Sequence, residues 1–445
     1  MDKIIRSGAY KCDITPPLGG CIAGSYSIIR SARILDKIYA HALVVDDGKT
    51  EAAIISVDVC SITDKNIYMK ITQNISEFCG IPASNILVAA THTHSGPLLF
   101  SPIPEVFGEV DKCYVDYFIK QIVTAVRMAQ QRKCPAKLSA GKGRNPNCVF
   151  NRRLQKPDGS IVMNWVDQDF LKDCMPSGVA DDEMLVCSIE GEEGKTIAIL
   201  VNFANHNNAA GDAISADMVG VMRDILYKVY GDDMVVIFLL GACGNTNWIN
   251  HKDSRRFNPD YYKKLGTSLA GTAIEIMGRL ESLKVPFIRV EREILKVWER
   301  PYSDYDVKED DTFGPKEGSS AKSREEFFLA YRINREKYGD LPLQQYELPL
   351  QVIALGGQFA VSTNPAELFC EYGIRIKEKS PFKYTMVSEL TNGECGYVPT
   401  PEAFQQGGYE VRKIKPYSYL ETEAGEKIAL ASLEMLKKCK KSFLK

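Results

Sequence analysis

His92 and His94 are the residues of this sequence whose types and spacing most directly suggest chemistry. They are two of only five histidines among 445 residues, and they stand two positions apart after the apolar run NILVAA (85–90). Because alternate residues of a strand point to the same side, we expect both imidazoles on one side of a sheet edge, where they are placed to bind a metal ion or move a proton. A polar THTHS segment that only caps the strand and begins a turn fits the pattern equally well.

His206 is a second candidate, because it too follows an apolar, strand-like run. The run is TIAILVNF (196–203), and His206 lies in the small polar loop that comes after it. Ligands of open α/β sheets bind in the crevice outside the carboxyl ends of strands, which is where such a loop lies. A loop histidine that is hydrogen-bonded to the backbone is the alternative interpretation.

Glu367, in the segment STNPAELF (362–369), supplies a carboxylate of less obvious purpose. Asn364 and Pro365 are typical of a helix N-cap and a first helical residue, which would place Glu367 at the third helical position. There a glutamate normally reaches back to the cap, so local structure alone explains it. The loop ECGYVPTPEAFQQGGYEV (394–411), rich in glycine, proline and tyrosine, is typical of an irregular surface turn.

Several catalytic families are excluded by spacing. The sequence has no HExxH motif, no HxHxDH motif, and too few histidines for the usual amidohydrolase barrel site. It also lacks GxSxG, GxGxxG and GxxxxGK[ST], so serine-hydrolase, dinucleotide-binding and P-loop hypotheses have no sequence support.

The elements that must position these residues follow an α/β pattern. Strand-like runs such as EAAIISVDV (51–59) and MVVIFLLG (234–241) alternate with amphipathic helical stretches such as 64–78 and 111–131. We therefore expect a central mixed β-sheet flanked by helices, forming one large catalytic domain over residues 1–445. The polar segment 298–345 is predicted to be an excursion on the surface of that domain.

The composition limits the classes of molecule that the protein is expected to bind. The formal net charge is −2 and no long basic run occurs, so nucleic acid is not an expected partner. No stretch reaches the roughly 18 consecutive apolar residues of a membrane span, and the first residues carry no signal-peptide pattern. We expect a cytoplasmic protein that acts on a small molecule. The thirteen cysteines show no CxxC pair and are expected to be reduced thiols, with Cys243 a buried one.

With these motifs in place, the chain resembles the neutral/alkaline (non-lysosomal) ceramidase family. The most specific match is ATHTHSGP (90–97). The other matching segments, in the same order along nearly the whole chain, are DITPPLGG (13–20), FNRR (150–153), NFANH with ISAD downstream (202–217), LLGACGNTN (239–247), NPAELF with IRIKEKSPF (364–382) and GYVPTPEAFQQGGYE (396–410).

The resemblance implies a zinc site and a reaction. Carried over position by position, the zinc ligands are His92, His206, Glu367 and Tyr409, and His94 and Arg152 face the substrate. The implied chemistry is amide hydrolysis, in which zinc lowers the pKa of a bound water to about 7 and polarises the carbonyl. His94 and Arg152 are expected to stabilise the oxyanion, and His94 is alternatively an acid toward the leaving amine.

Departures from the family bear on mechanism and substrate. Asn247 occupies the position of a serine once proposed as nucleophile, which excludes a serine mechanism here. No C-terminal immunoglobulin-like domain, as in the secreted family members, is expected. A small polar amide or a sugar derivative is therefore an alternative to ceramide. Asparagines near the predicted site are expected to hydrogen-bond its hydroxyl groups, namely Asn207, Asn208, Asn245 and Asn247.

Two further functional hypotheses stay open on the sequence. A metal-dependent lyase or isomerase acting on a sugar acid would use the same ligands to stabilise an enediolate. A catalytically inactive binding protein on the same fold would retain metal without turnover. Oligomeric state is not predicted by these patterns.

Overall fold

The structure is a computed structural model, and it describes residues 5–191, 194–253, 258–318 and 321–444. It confirms the α/β class. The strands are distributed over three mixed sheets, each containing one parallel pair of strands, together with smaller sheets of two or three short strands.

The first sheet has the strand order β4-β3-β2-β1-β5. Its strands are β1 (Arg6–Asp13), β2 (Tyr39–Asp46), β3 (Glu51–Val57), β4 (Ile86–Ala90) and β5 (Cys134–Pro135). Only β3 and β4 run parallel. Helices α1 (Lys65–Cys79) and α3 (Lys112–Gln131) pack on this sheet, and the short α2 (Pro104–Phe107) precedes α3.

The second sheet has the order β13-β12-β11-β6-β15, with β12 and β13 parallel. Its strands are β6 (Lys137–Arg144), β11 (Glu183–Glu190), β12 (Thr196–Phe203), β13 (Val235–Leu240) and β15 (Glu281–Leu283). Helices α4 (Asp217–Tyr230) and α5 (Tyr261–Met277) pack on it. The short strands are β7 (Phe150–Asn151), paired with β14 (Thr246–Asn247), and β8 (Arg153–Gln155), paired with β9 (Ile161–Met163) and β10 (Met175–Pro176).

The third sheet has the order β16-β17-β18-β20, with β18 and β20 parallel. Its strands are β16 (Ile288–Trp298), β17 (Gln345–Leu355), β18 (Phe359–Thr363) and β20 (Tyr384–Ser388). The helices of this part are α6 (Ala321–Tyr338), α7 (Cys370–Lys379), α8 (Pro401–Gln406) and α9 (Ala424–Ser442), and the strands β19 (Glu367–Leu368) and β21 (Tyr397–Val398) pair in parallel. Short 3-10 turns occupy Ala83–Asn85, Gln168–Leu171, Asp304–Asp306 and Asp311–Phe313.

One apolar core joins the three sheets. Each sheet contributes side chains to it, among them Leu43, Leu200 and Ile353, all fully buried. Within β12, Leu200 enters this core while Ile199 and Val201 pack toward the helices. Burial on both faces explains why such strands are continuous apolar runs in the sequence.

The prediction of a helix with Asn364 as its N-cap and Pro365 as its first residue is wrong. Helix α7 begins at Cys370, and Glu367 belongs instead to strand β19. The Asn364 Oδ1 accepts a hydrogen bond from the Ala366 backbone at 3.0 Å, which forms a local turn rather than a helix cap. Pairing of β19 with β21 decides the conformation of Glu367, and that pairing joins segments 30 residues apart.

No helix in the described residues is long and apolar enough to cross a membrane. All thirteen cysteines are free thiols, as expected.

A buried ion pair links the first sheet to α4 beneath the THTHS loop. Asp58, fully buried after β3, accepts a hydrogen bond from Arg223 Nη1 at 2.6 Å. It also accepts from the Tyr39 backbone at 2.9 Å and the Thr91 hydroxyl at 3.2 Å. Removing one partner of such a pair leaves an uncompensated charge inside the protein.

We therefore predict that Arg223→Leu lowers the free energy of unfolding by about 3–5 kcal/mol, because Asp58 stays buried without its cation. Urea unfolding followed by tryptophan fluorescence measures this. The control is Arg33→Leu, which removes the exposed ion pair with Asp212 and should cost about 0.5 kcal/mol or less. Equal effects of the two substitutions would contradict the prediction.

Candidate metal centre

His92 and His94 lie in the loop that follows β4, and their side chains meet. Their Nε2 atoms are 3.2 Å apart. The expected strand alternation is not the reason, because β4 ends at Ala90 and His92 has a φ of 61°, in the left-handed region. A tight turn, rather than the pleat of a strand, directs both imidazoles to the site.

His206 and Glu367 complete a buried cluster with His92. The Glu367 Oε2 atom lies 3.5 Å from His92 Nε2 and 3.4 Å from His206 Nε2. All three side chains are at least 96% buried. Within the described part of the chain, no group donates a well-formed hydrogen bond to Glu367 Oε2. A buried carboxylate oxygen therefore faces two imidazole nitrogens without a proton donor of its own.

Hydrogen bonds on the far side of each ring set the tautomers. His92 Nδ1 is 2.9 Å from the Cys60 carbonyl oxygen, so this nitrogen is a donor and Nε2 is the atom that faces the cluster. His206 Nδ1 faces the Cys243 Sγ at 3.3 Å, and the Cys243 thiol donates to Glu389 Oε1 at 3.0 Å. Cys243 is thus a buried thiol, as expected, but it also orients a site histidine.

The three histidines of the site differ in their titration. Burial and the charge of Arg152 lower the pKa of His206 to about 3, so the ring is neutral. Burial, followed by the neighbouring His92, also holds the pKa of His94 well below its usual value. Although burial alone would raise the pKa of Glu367, its contacts with His206 and His92 hold that pKa far below the usual range. Although burial alone would lower the pKa of His92, its contacts with Cys60 and Glu367 raise that pKa well above its usual value. The cluster therefore offers a neutral His206 ring and a His92 ring whose charge is paired with the Glu367 carboxylate.

Arg152 lies between β7 and β8 and reaches the cluster from another side. Its Nη1 donates to His206 Nε2 at 2.9 Å, and its Nε donates to Glu410 Oε1 at 2.8 Å. Glu410 is fully buried and also pairs with Arg153 Nη1 at 2.7 Å. Among the described residues, Arg152 Nη2 has no hydrogen-bond partner. One guanidinium N–H group is thus held at the site by a buried carboxylate and remains available.

Tyr409 comes from the GGYE segment, which is buried and not the surface turn that its composition indicates. Its hydroxyl is 3.3 Å from that of Tyr26. Gly408 precedes it with a φ of 107°, and a Cβ there would lie 2.7 Å from Arg153 Nη1. Only glycine therefore fits between Tyr409 and the Arg153–Glu410 pair.

Two cavities border the cluster. The first has a volume of about 70 Å³, and its lining includes His92, His94, Glu367, Glu394, Leu99 and Tyr409. The second has a volume of about 260 Å³, and its lining includes His94, Arg152, His206, Asn208, Phe327 and Tyr409. Because Tyr26, His94, Tyr397 and Tyr409 line both, the two cavities meet at the cluster.

The segment 298–345 is not only a surface excursion. Its helix α6 places Ser323, Glu326 and Phe327 in the lining of the second cavity. Phe327 also packs against the Tyr26 ring, with centroids 4.8 Å apart. Burial of aromatic side chains against the site makes this segment part of its wall, even though most of its residues are polar.

The side chains of Asn207, Asn245 and Asn247 are not among the residues that line either of these two cavities. The Asn245 side chain donates to Glu371 and accepts from the Cys370 backbone. Asn247 exchanges hydrogen bonds with Asn164, and the Asn207 Nδ2 donates to the Ala216 carbonyl. Their amides hold loops together, because each has a protein partner at hydrogen-bonding distance.

Several residues of the site had no sequence signal. Tyr26 lies in a loop of the first thirty residues, and Glu389 and Cys60 follow strands of different sheets. They reach the cluster only through tertiary packing. Glu410 did carry a signal, since it is the last residue of the GGYE motif.

The donor set fits a metal ion. Three potential ligand atoms, from His92, His206 and Glu367, lie within 4.8 Å of one another, and all three side chains are buried. Imidazole nitrogen with carboxylate oxygen is a ligand combination typical of zinc. The Glu367 oxygen without a donor is what a cation would satisfy. Cys60, His92 and His94 form a second possible donor group that shares His92.

The chain is similar in sequence to known neutral ceramidases. Residues 6–232 match the family model described as neutral/alkaline non-lysosomal ceramidase, N-terminal. A curated neutral ceramidase of Pseudomonas aeruginosa is 28% identical over 235 residues. That match covers 49% of this chain and 33% of the relative, so it spans about a third of the relative's length.

Solved structures show the same fold. The crystal structure of neutral ceramidase from Pseudomonas aeruginosa matches 99% of this chain and 75% of its own, with a TM-score of 0.77 and 20% identity. A structure described as a ceramidase complexed with C2 matches 99% of this chain and 76% of its own, with a TM-score of 0.76 and 18% identity.

We predict that the purified protein binds about one divalent metal ion per chain at this cluster and that a His92→Ala/His206→Ala double variant loses it. Plasma mass spectrometry on protein prepared without added metal measures the content. His251→Ala, which removes a histidine from outside the cluster, is the control and should retain the metal. Circular dichroism verifies that each variant is folded.

Full metal content in the folded double variant would place the metal elsewhere. No uptake by the native protein from excess zinc would show that the cluster does not bind metal.

Proposed function

The chain belongs to the neutral/alkaline non-lysosomal ceramidase family, and we propose that it is a zinc-dependent hydrolase of an amide bond. The observation that carries the proposal is the buried cluster of His92, His206 and Glu367, in which one carboxylate oxygen lies within 3.5 Å of two imidazole nitrogens. Two imidazoles and a carboxylate that converge out of water form a donor set that a zinc ion would hold together.

In this proposal His92, His206, Glu367 and Tyr409 would hold the zinc ion. When bound, zinc would supply a water that ionises near neutral pH and a Lewis acid for the scissile carbonyl. The chain's own groups prepare the ligands. The Cys60 carbonyl and the Cys243 thiol hold the two rings by Nδ1, so that both Nε2 atoms point inward.

His94 and Arg152 are the residues proposed to act on the substrate. His94 lines both cavities, and its Nε2 lies 3.2 Å from the Nε2 of His92 at the edge of the cluster. Arg152 offers the unpaired Nη2 N–H group. Donors that are already oriented stabilise the negative charge that develops on the carbonyl oxygen without reorganising. His94 is also placed to transfer its proton to the leaving amine.

The two cavities support a linear amide as substrate. They meet at His94 and Tyr409, so an amide carbon at the cluster would extend its acyl portion into one cavity and its amine portion into the other. We also propose that residues of all three sheets act as one catalytic domain. His92 follows β4, His206 follows β12 and Glu367 follows β18, so each large sheet supplies one ligand.

We predict that the protein with zinc releases a free amine and a carboxylate from N-acyl substrates, and that His94→Ala and Arg152→Lys each lower kcat by about 10²–10³-fold. Lysine retains the charge beside Glu410 but loses the second N–H group. Fluorescent amine labelling and mass spectrometry quantify the two products. Zinc content should stay unchanged in both variants.

Glu378→Gln, on the exposed part of α7, is the control and should retain native kcat. Rearrangement or elimination of a sugar acid, without a free amine and carboxylate, would contradict the hydrolase and indicate the lyase or isomerase. Bound zinc with no turnover on a broad panel of amides would indicate a binding protein.

A further inference from the structure

Glu394 is a carboxyl group in the first cavity that the proposed reaction does not use. It lies in the loop between β20 and β21 and forms part of the cavity lining together with Ser61 and Thr63. The Thr63 hydroxyl donates to Glu394 Oε2, and the Ser61 hydroxyl is 3.0 Å from that of Thr63. These three side chains form a polar patch on the cavity wall, which we call the Glu394 patch.

No lysine or arginine is among the residues that line this cavity. Burial is the main reason why the pKa of Glu394 is raised, to about 7, and the Glu367 carboxylate raises it further. A carboxyl group has about four lone-pair positions for hydrogen bonds. Thr63 occupies one of them, so the carboxyl can accept further hydrogen bonds from a molecule in the cavity.

The rest of the lining is largely apolar. Leu98, Leu99 and Phe107 contribute to it, beside the tyrosines that border the cluster. An alkyl chain in this cavity would gain apolar contacts but would remove water from Glu394 without replacing its hydrogen bonds, which is unfavourable. A chain with one hydrogen-bond donor would keep the apolar contacts and satisfy the carboxyl.

We infer that the Glu394 patch selects amide substrates whose portion in the first cavity carries a hydrogen-bond donor, either a hydroxyl or an ammonium group. The inference rests on the proposed amide hydrolysis and specifies its substrate class. Sites built to hydrogen-bond a substrate group reject the analogue that lacks it, because the protein group is then left unpaired. The chain thus distinguishes a hydroxylated or amino-bearing amide from a plain alkyl amide of the same length.

The test uses a series of synthetic amides. N-Hexanoylpentylamine is the reference, and its derivatives carry a hydroxyl or an amine at successive carbons of either the hexanoyl or the pentyl portion. Comparison of kcat/KM across the series identifies which portion enters the first cavity. For the native protein we expect at least one derivative to exceed the reference by about 10- to 100-fold.

Two substitutions of Glu394 separate the contribution of hydrogen bonding from that of charge. Glu394→Leu removes both hydrogen bonding and charge, and should reduce the preference for every donor to near unity. Glu394→Gln retains hydrogen bonding in the same shape, and should keep preference for a hydroxyl while losing preference for an ammonium group. Glu378→Gln, on an exposed part of α7, is the control and should show the native preference.

An unchanged ratio in a folded Glu394→Leu variant that still hydrolyses amides would overturn the inference and leave the proposed function intact. If Glu394→Leu does not fold, the Glu394→Gln variant decides. An ammonium-to-reference ratio equal to that of the native protein would overturn the inference. Equal kcat/KM for the hydroxyl derivatives and the reference, in both the native protein and the variant, would overturn it as well. If the native protein hydrolyses none of the amides, the proposed function fails. The same uncleaved amides then serve as ligands in calorimetry, and equal affinities of donor and reference compounds would overturn the inference as well.

Discussion

The structure depends on bringing Glu367 and the Nε2 atoms of His92 and His206 together out of water. A carboxylate and two imidazoles each lose hydration when they are buried, so the surrounding protein must hold them together. It does so with one segment after a strand of each of three sheets, and in each sheet that strand belongs to the single parallel pair. Ligand-binding crevices lie at the carboxyl ends of such strands, and the ends of one strand from each sheet meet at this cluster.

A charged network of Arg152, Glu410 and Arg153 lies beside this cluster. It contains two cations for one fully buried carboxylate, and thereby keeps a positive charge beside His206. Burying this network costs solvation energy, which hydrophobic packing elsewhere must offset. The GGYE segment ties the network to Tyr409, because Gly408 leaves room for Arg153 while the next two residues supply the phenol and the carboxylate.

Elements with strong periodicity were predictable from sequence. In α3, Asp111 caps the helix by accepting from the Tyr114 backbone, and the buried residues Tyr114, Phe118 and Ile122 recur every four positions. Strand β12 was predicted from its apolar run. The Asn364 helix was predicted wrongly, because a local capping signal competed with the pairing of β19 and β21, and no local pattern contains that pairing. The hydrogen-bond partners of Asn245 and Asn247 could not be predicted for the same reason, since those partners are 126 and 83 residues away along the chain.

The sequence by itself determined the α/β class, the family and the residues whose chemistry suits a metal. These depend on residue type, order and local periodicity. Only the tertiary structure decided that His92 turns inward through a left-handed backbone conformation, that α6 forms a wall of the site, and that Glu394 shares a cavity with the cluster. These features arise from contacts between residues separated by hundreds of positions, and their geometry exists only once the three sheets share one core.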